Sequence, residues 1–326
     1  MRSGRVVFIN GEYVPEDQAK ISIYDSALMF GDMVFEMTRS FQGKQFKLKE
    51  HLERLYRGIK ILHIPIDMTI EEMEKKCFET MEKNKDVFES HDEHRLMINV
   101  SRGPLGIYAP IFGGKLQPTV VIADFPLKWT VAYMGPLYDE GINAVITSQR
   151  AIPSQLLDPK IKNRSRIHYQ MANIEASHVK GENVWALLLD PDGFIAEGTG
   201  DNFFIVKNNV VITPEGRNIL RGISREYVFE LCKQMGFSCV EKNIDSYDVY
   251  EADEAFMTGT PFCILPVTKL NGLNIGDGKM GPITKKLLDV WSKNVGVDII
   301  KQIKSYGKEC ASLMGDAPTP YQFKEK

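Results

Sequence analysis

A carboxylate embedded in an apolar strand restricts this chain more than any other feature. Residues Pro191 to Val206 read PDGFIAEGTGDNFFIV: a turn at Asp192-Gly193, then a strand interrupted by Glu197-Gly198-Thr199-Gly200-Asp201-Asn202. A charge placed in such a strand carries a large desolvation penalty unless it is paired. The glycines that follow let another backbone or a ligand come close. Two readings are open from this stretch alone. Glu197 is either a carboxylate aimed at a cationic partner in a site, or a surface residue at a sharp β-turn.

With 326 residues, 43% of them hydrophobic, the chain can bury one large core or, on domain-size grounds, two. The net charge is −3 with acids and bases interspersed, so neither nucleic acid nor a membrane surface is an expected partner. The opening MRSGRVVFING has no apolar signal region, and no run of about 18 apolar residues occurs. A cytoplasmic location is therefore expected. Cys77, Cys232, Cys239, Cys263 and Cys310 lack metal-type spacing and read as reduced structural thiols. The histidines form no ligand cluster, so no metal is expected, and His51 and His63 read as packing or surface residues.

In chain order, residues 5–14 form a hairpin about Asn10-Gly11, and Met33 to Phe41 is strand-like, turned back at Gln42-Gly43. Leu52, Leu55, Ile59 and Ile61 make a helical stripe; Arg54 lies off it, where a surface salt bridge is the ordinary explanation. Residues 68–87 form a charged amphipathic helix, and His94–Arg102 and Thr119–Phe125 are strands. Pro126 to Pro136 shows no periodicity and reads as a linker. Gly141–Ser148 and Trp185–Leu189 are strands. Between them a helix running on from Asn163 presents Ile167, Met171, Ile174 and Val179 on one face. Val210–Thr213 and Ala255–Val267 are strand regions, and Ile223–Met235 and Pro282–Val295 are helices. Residues 301–326 carry little core signal and read as a surface extension.

Four features gain meaning together. Lys162 follows a Pro-containing loop, and Arg164 and Arg166 could lower the pKa of its amine, as a nucleophile requires; taken alone, it is an ordinary surface lysine. Glu197 is the second. In LRGISR, Gly222 and Ser224 flank the start of a helix at Ile223, which is either a phosphate-binding helix N-terminus or a plain N-cap. Met257-Thr258-Gly259-Thr260 ends a strand in another anion cradle. A nucleophilic lysine, a buried carboxylate and two phosphate turns are what pyridoxal phosphate requires. No Gly-rich loop of Rossmann or P-loop type is present to hold a nucleotide.

Through FGDMVFEMTR, HLERL, EGTGDNFFIV, ILRGISRE, EADEAFMTGT and GPITK, the chain resembles the class IV, fold type IV pyridoxal-phosphate aminotransferases over roughly Phe8 to Val297. That family includes branched-chain and D-amino-acid aminotransferases, (R)-selective amine transaminases and aminodeoxychorismate lyase. The resemblance implies that Lys162 is the Schiff-base lysine, that Glu197 pairs with the pyridine nitrogen and that Arg54 reaches the phosphate. Leu220, Ile223 and Ser224 match the phosphate-binding helix start, and Thr260 the second phosphate turn. Phe35, Met37, Arg39 and Arg95 match positions facing substrate, as do Pro261 and Phe262. It also implies a homodimer.

The chain departs from that pattern in three places. Lys160 lies two residues before Lys162, which is preferred because its distance to the following helix fits the D-amino-acid and amine-transaminase relatives without a gap. Ile167 stands where branched-chain enzymes have a tyrosine, and Tyr169 comes too late to fill that role. Pro261 has no N–H at the turn where relatives bind the substrate carboxylate through backbone donors.

The expected fold is α+β in two domains, a small N-terminal domain at 1–125 and a cofactor-binding domain at 137–300. The first is followed by a linker at 126–136 and the second by an extension at 301–326. The expected activity is transamination between an amino acid or amine and a 2-oxo acid. A lyase of the aminodeoxychorismate type, or an inactive binding relative, is the alternative.

Overall fold

A computed structural model describes residues 4–310. The chain divides into two compact units, one running to Leu127 and including Ile161–Arg166, the other made of Lys128–Lys160 and the chain from Ile167 onward.

The first unit is an antiparallel sheet under two helices. Strands β1 (Val6–Ile9) and β2 (Glu12–Pro15) form the expected hairpin, with φ 48° at Asn10 and 97° at Gly11, as a type I′ turn requires. A short helix α1 (Ser26–Phe30), capped by Asp25, leads into β3 (Met33–Met37). Next come a two-stranded ribbon, β4 (Ser40–Phe41) and β5 (Lys44–Gln45), and the helices α2 (Leu48–Ile61) and α3 (Ile70–Asn84). Strands β6 (His94–Ser101) and β7 (Thr119–Pro126) complete the sheet, ordered β2-β1-β7-β6-β3. Val34, Leu96, Ile98, Val100, Val120 and Ile122 point to one side and meet Leu48, Leu52, Leu55 and Ile59 of α2 and Met73 and Cys77 of α3. Strand alternation puts Phe35, Met37, Arg95 and Asn99 on the opposite face, with Phe35 directly across from Asn99.

The strand expected from Met33 to Phe41 breaks after Met37. The buried Glu93 carboxylate takes the Ser40 hydroxyl and the Gln42 and Gly43 N–H groups, which turns the chain into the β4–β5 ribbon. The outer edge of β3 is covered by residues 162–164. Phe35 N–H donates to the Lys162 carbonyl (2.9 Å) and Arg164 N–H to that of Met33 (3.1 Å). An open strand edge is satisfied this way, and the Lys162 backbone is fixed as a result.

The second unit begins with short helices α4 (Lys128–Val131) and α5 (Leu137–Glu140), then β8 (Ile142–Arg150), α6 (Ile167–Ser177) and β9 (Val184–Leu189). Strands β10 (Ile195–Gly198), β11 (Asn202–Lys207) and β12 (Val210–Thr213) precede α7 (Ile223–Met235), β13 (Ser238–Glu241) and α8 (Ser246–Tyr250). Last come β14 (Glu254–Gly259), β15 (Cys263–Leu270), β16 (Leu273–Asn274), α9 (Pro282–Val295) and α10 (Ile299–Cys310). The sheet runs β10-β9-β8-β15-β14-β11-β12-β13, and β10 also pairs with β11 through Glu197 and Asn202. That last pairing closes six strands into a ring and leaves them no free edge. The interrupted stretch around Glu197 is therefore a hairpin, and its carboxylate stands where the ring closes.

Three expectations are corrected. Residues 126–136 are no open linker: α4 and a 3-10 turn at Ala132–Met134 occupy much of it, with Val131 and Ala132 buried. Helix α10 covers this segment and buries Ile303, Tyr306 and Cys310, so residues 301–310 belong to the core rather than to a surface extension. Gly307 makes the approach possible, since a Cβ there would lie 2.8 Å from the Ala132 carbonyl oxygen. The remainder of that expected extension, 311–326, lies outside the described residues. Third, α6 starts at Ile167, and its core side is Ala172 and Ala176, while Ile167, Met171 and Val179 are exposed. Small residues let the helix lie close on β8 and β9, so the large apolar side chains face outward.

Candidate active site

In the first unit Lys162, Arg164 and Arg166 all gather at one aromatic ring. The Lys162 Nζ is 4.8 Å from the Phe35 ring centre, the Arg164 guanidinium carbon 3.6 Å and that of Arg166 5.6 Å. Arg164 also donates through Nε and Nη2 to Asn99 Oδ1 (3.3 and 3.0 Å). The Lys162 amine is half-buried and stands at the same ring as two guanidinium groups. Lys160 is held elsewhere, ion-paired to Asp158 (2.8 Å) and bonded to the Arg217 carbonyl (3.3 Å).

Arg54 is not a surface residue. Its Nε and Nη2 form a bidentate pair with Glu36 (2.7 and 2.8 Å), and His51 Nδ1–H donates to the same carboxylate (2.7 Å). All three side chains are buried. His51 and Arg54 share a helix face at i, i+3 spacing, and Glu36 points from β3 toward α2. Despite full burial, which raises it, Glu36 is held well below the ordinary carboxylate range by Arg54 and then by His51. Burial pushes His51 down, with Arg54 and Lys162 adding to that and Glu36 opposing it. A histidine depressed in the folded state contributes stability that is present above its ordinary pKa of about 6.5 and is lost as pH falls below it. We expect the unfolding free energy from urea titrations to drop between pH 7 and 5.5, by up to about 1.4 kcal/mol per pH unit, and His51→Asn to remove that part of the slope. An unchanged slope in the variant would contradict a neutral His51.

Arg95 lies on the other face of the same sheet with 6% exposure. Its Nε and Nη1 have no hydrogen-bond partner, and Nη2 reaches only the Met37 sulfur at 3.6 Å. Burial, then the charge of Arg39, pushes its pKa down to about 9. Arg39 is buried, stacked 3.8 Å over Phe41 and bonded to the Ser40 carbonyl.

In the second unit, the buried Glu197 accepts from three donors. Tyr169 Oη–H reaches Oε1 (2.7 Å), while Leu220 N–H (3.0 Å) and Asn202 Nδ2 (3.2 Å) reach Oε2. The surface-turn reading of Glu197 is thereby excluded. Asn202 also donates to the Leu220 carbonyl (2.9 Å), and a Cβ on Gly222 would fall 2.1 Å from Asn202 Oδ1. Gly222 is thus required for the approach that joins the hairpin to the start of α7. Helix α7 has Gly222 as its N-cap, with no side chain closing its first N–H groups, and Ser224 is buried in its first turn. Plain side-chain capping is excluded. The Thr258 hydroxyl, at the end of β14, is buried without a partner. Thr260 and Pro261 follow in the turn to β15, and the Phe262 ring lies over Gly259 and edge-on to Trp185.

Sequence reasoning missed Glu36, Asn99, Thr258 and the partnership of Tyr169 with Glu197. Glu36 was detectable: a glutamate in phase with Val34 must point into the core. Tyr169 was set aside on spacing to Lys162, which does not register the turn before α6.

An orphaned, buried hydroxyl, an uncapped helix start and a carboxylate gathered by three donors limit what can be held. A dianionic phosphate suits the first two, and a protonated ring nitrogen suits the third. Within the second unit this donor set fits the phosphate and ring nitrogen of pyridoxal phosphate, and within the first the Lys162 amine is the kind of group that takes a carbonyl carbon. Each is a feature of a group-transfer enzyme of that kind.

The family model for amino-transferase class IV matches residues 33–270. A Methanocaldococcus jannaschii protein carrying a provisional branched-chain-amino-acid aminotransferase name is 40% identical over 284 residues, 86% of this chain and 93% of the relative. The crystal structure of the Escherichia coli branched-chain amino acid aminotransferase superposes with a TM-score of 0.78 at 28% identity, covering 89% of this chain and 94% of that one. A T.th. branched-chain amino acid aminotransferase, complexed with N-(5'-phosphopyridoxyl)-L-glutamate, gives 0.78 at 27% identity, covering 90% and 95%. The chain belongs to the class IV aminotransferases and has their fold type IV architecture; it is a pyridoxal-phosphate-dependent aminotransferase. Among the described residues no helix is long and apolar enough to cross a membrane.

Proposed function

We propose that this enzyme exchanges an amino group between an amino acid and a 2-oxo acid, at least one of which carries a second acidic group anchored by Arg95 or Arg39. The observation that carries this reading is the Arg95 guanidinium, buried with two nitrogens unpartnered on the face that presents Phe35 and Met37. A buried cation without an acid is costly, and an anionic ligand offsets that cost. Pro261 lacks the N–H that relatives use for a substrate carboxylate, which gives the arginines more of that task. The relatives' branched-chain names extend to this chain only as a substrate to be tested, and L-leucine and L-isoleucine are not expected to be its best donors.

Pyridoxal phosphate, when bound, supplies an aldehyde for the amino group and a ring that accepts the electrons of the substrate Cα–H bond. Lys162 Nζ would hold that aldehyde and then move the proton from substrate Cα. Glu197, oriented by Tyr169, Asn202 and Leu220, would hold the proton on the ring nitrogen. The first turn of α7 at Ile223 and Ser224, with Thr260, would bind the phosphate, as would Arg54, which Glu36 orients. Phe35, Met37, Pro261 and Phe262 would shape the substrate space.

A homodimer in the cytoplasm is part of this reading. The apolar side chains left exposed on α6 (Ile167 and Met171) support a second copy as their cover, as do Leu28, Phe30 and Ile107 of the first unit. A panel of L- and D-amino acids and amines with pyruvate and 2-oxoglutarate tests the substrate assignment. Arg95→Ala is expected to raise KM for acidic substrates about 10- to 100-fold and leave apolar ones nearly unchanged. L-leucine and L-isoleucine as best donors, with Arg39→Ala and Arg95→Ala indistinguishable from wild type, would overturn it.

A further inference from the structure

Helix α6 carries Tyr169, the hydroxyl that reaches Glu197 Oε1, yet its packed side is Ala172 and Ala176, while Ile167 and Met171 are exposed. Alanine methyls let a helix lie close on a sheet but form no ridge that interlocks with it. They therefore resist a small slide or rotation only weakly. The exact seat of such a helix has to come from directional contacts. Glu175 accepts from the Ser148 N–H and hydroxyl of β8 (both 2.7 Å), which pins the C-terminal half. In the N-terminal half, Tyr169 Oη–H donates to Glu197 (2.7 Å), and the Thr199 hydroxyl donates to Asn173 Oδ1 (2.9 Å).

Those last two bonds are in register. Tyr169 and Asn173 stand about one turn apart on one face of α6, ~6 Å at 1.5 Å per residue. Glu197 and Thr199 are two residues apart where β10 enters its turn, ~6.6 Å for extended chain at 3.3 Å per residue. Matching steps on helix and hairpin let both bonds form together. The Thr199 bond is also preset from both sides. Asn173 Nδ2 donates to Gln170 Oε1 (3.4 Å), which leaves Oδ1 turned to the hydroxyl. Thr199 is β-branched and has few χ1 choices, and its turn is closed by Gly198 N–H donating to the Asp201 carbonyl (3.0 Å).

We propose that Thr199 and Asn173 are positioning residues. Their hydrogen bond seats α6 on the hairpin so that the Tyr169 hydroxyl meets Glu197 Oε1, and turnover depends on the pair through Tyr169. A bond to a carboxylate is short and directional, so a tyrosine displaced by about an ångström no longer shares its charge. The effect on turnover rests on Glu197 being the partner of the ring nitrogen, as proposed above; the seating of α6 does not.

The test is a double-mutant cycle on the holoenzyme. Thr199→Val keeps the side-chain shape and removes the hydroxyl, and Tyr169→Phe removes the group it places. For each variant and the pair, kcat and amide hydrogen exchange across 167–177 are measured, with the urea midpoint beside them to show that the protein is folded. Tyr169→Phe is expected to lower kcat about tenfold and Thr199→Val about three- to tenfold. The double variant is expected to match Tyr169→Phe alone, because the hydroxyl that Thr199 places is already gone. Thr199→Val is expected to speed exchange in α6 about tenfold, and Thr199→Ser to restore both values. Losses that multiply in the double variant would make Thr199 structural only and overturn the positioning role. Unchanged exchange in α6 of Thr199→Val would overturn the seating. Glu197→Gln with normal kcat is the separate result that would remove the reading of Glu197, and it would leave the exchange result as it stands.

Discussion

Lys162→Ala is expected to lower turnover by at least about 10⁴-fold, the scale on which loss of a covalent nucleophile acts, and to abolish the absorbance of lysine-bound cofactor. Lys160→Ala is expected to keep both near wild type. The two lysines are separated by one residue, yet their surroundings differ in kind. Lys160 is neutralised by Asp158 and tied to the Arg217 carbonyl. Lys162 is backed by β3 through its own carbonyl, lies at the Phe35 ring with two arginines, and is near enough to His51 to depress that ring's pKa. Borohydride reduction followed by peptide mapping decides the matter, and cofactor recovered on Lys160 would refute the assignment. Distance to the following helix, the ground on which Lys162 is preferred in sequence, loses force because α6 begins only at Ile167. The preference now rests on electrostatics and on the strand edge.

That replacement of one argument by another shows where the sequence was readable. Strand and helix positions followed local signals closely: Asn10-Gly11 turned as its residue types require, and α7 and α9 run between the residues expected. Periodicity says which residues share a face but not which face is covered. In α6, alanines that hardly register on a hydrophobic stripe form the packed side, because the neighbouring strands demand close approach. Charge was misread for a related reason. Arg54 looked like a surface residue on a helix wheel, yet Glu36, 18 residues upstream, supplies a buried partner that only the third dimension brings near. Terminal segments failed likewise, since α10 gains its core role from contact with residues about 170 positions earlier. Glu197 was found because an acid in an apolar strand is a local contradiction, visible without the fold. Its three donors come from Tyr169, Asn202 and Leu220, which no local pattern unites.

Those donors make Glu197→Gln an unusually clean substitution. Leu220 N–H and Asn202 Nδ2 both donate to Oε2, so the glutamine must place its carbonyl oxygen there and its amide nitrogen where Oε1 stood. At that position the neighbour is the Tyr169 hydroxyl, which can rotate from donating to accepting. Each of these three contacts has a counterpart, the shape is conserved and the negative charge is gone. The start of α7 and Thr260 are untouched, so the groups proposed to bind the phosphate remain. We therefore expect kcat to fall about 100-fold or more, as for loss of one preorganised electrostatic contact, while the cofactor dissociation constant changes less than about tenfold. A neutral amide can hydrogen-bond a ring nitrogen but cannot hold a proton on it, and it is that proton which stabilises the electrons released from Cα. Glu197→Asp retains the charge but withdraws it by one methylene from Tyr169, and is expected to fall between wild type and glutamine. The measurement is kcat at saturating cofactor beside a fluorescence titration of cofactor into the stripped enzyme. Normal kcat at saturation with affinity alone reduced would leave Glu197 a binding residue with no part in the chemistry.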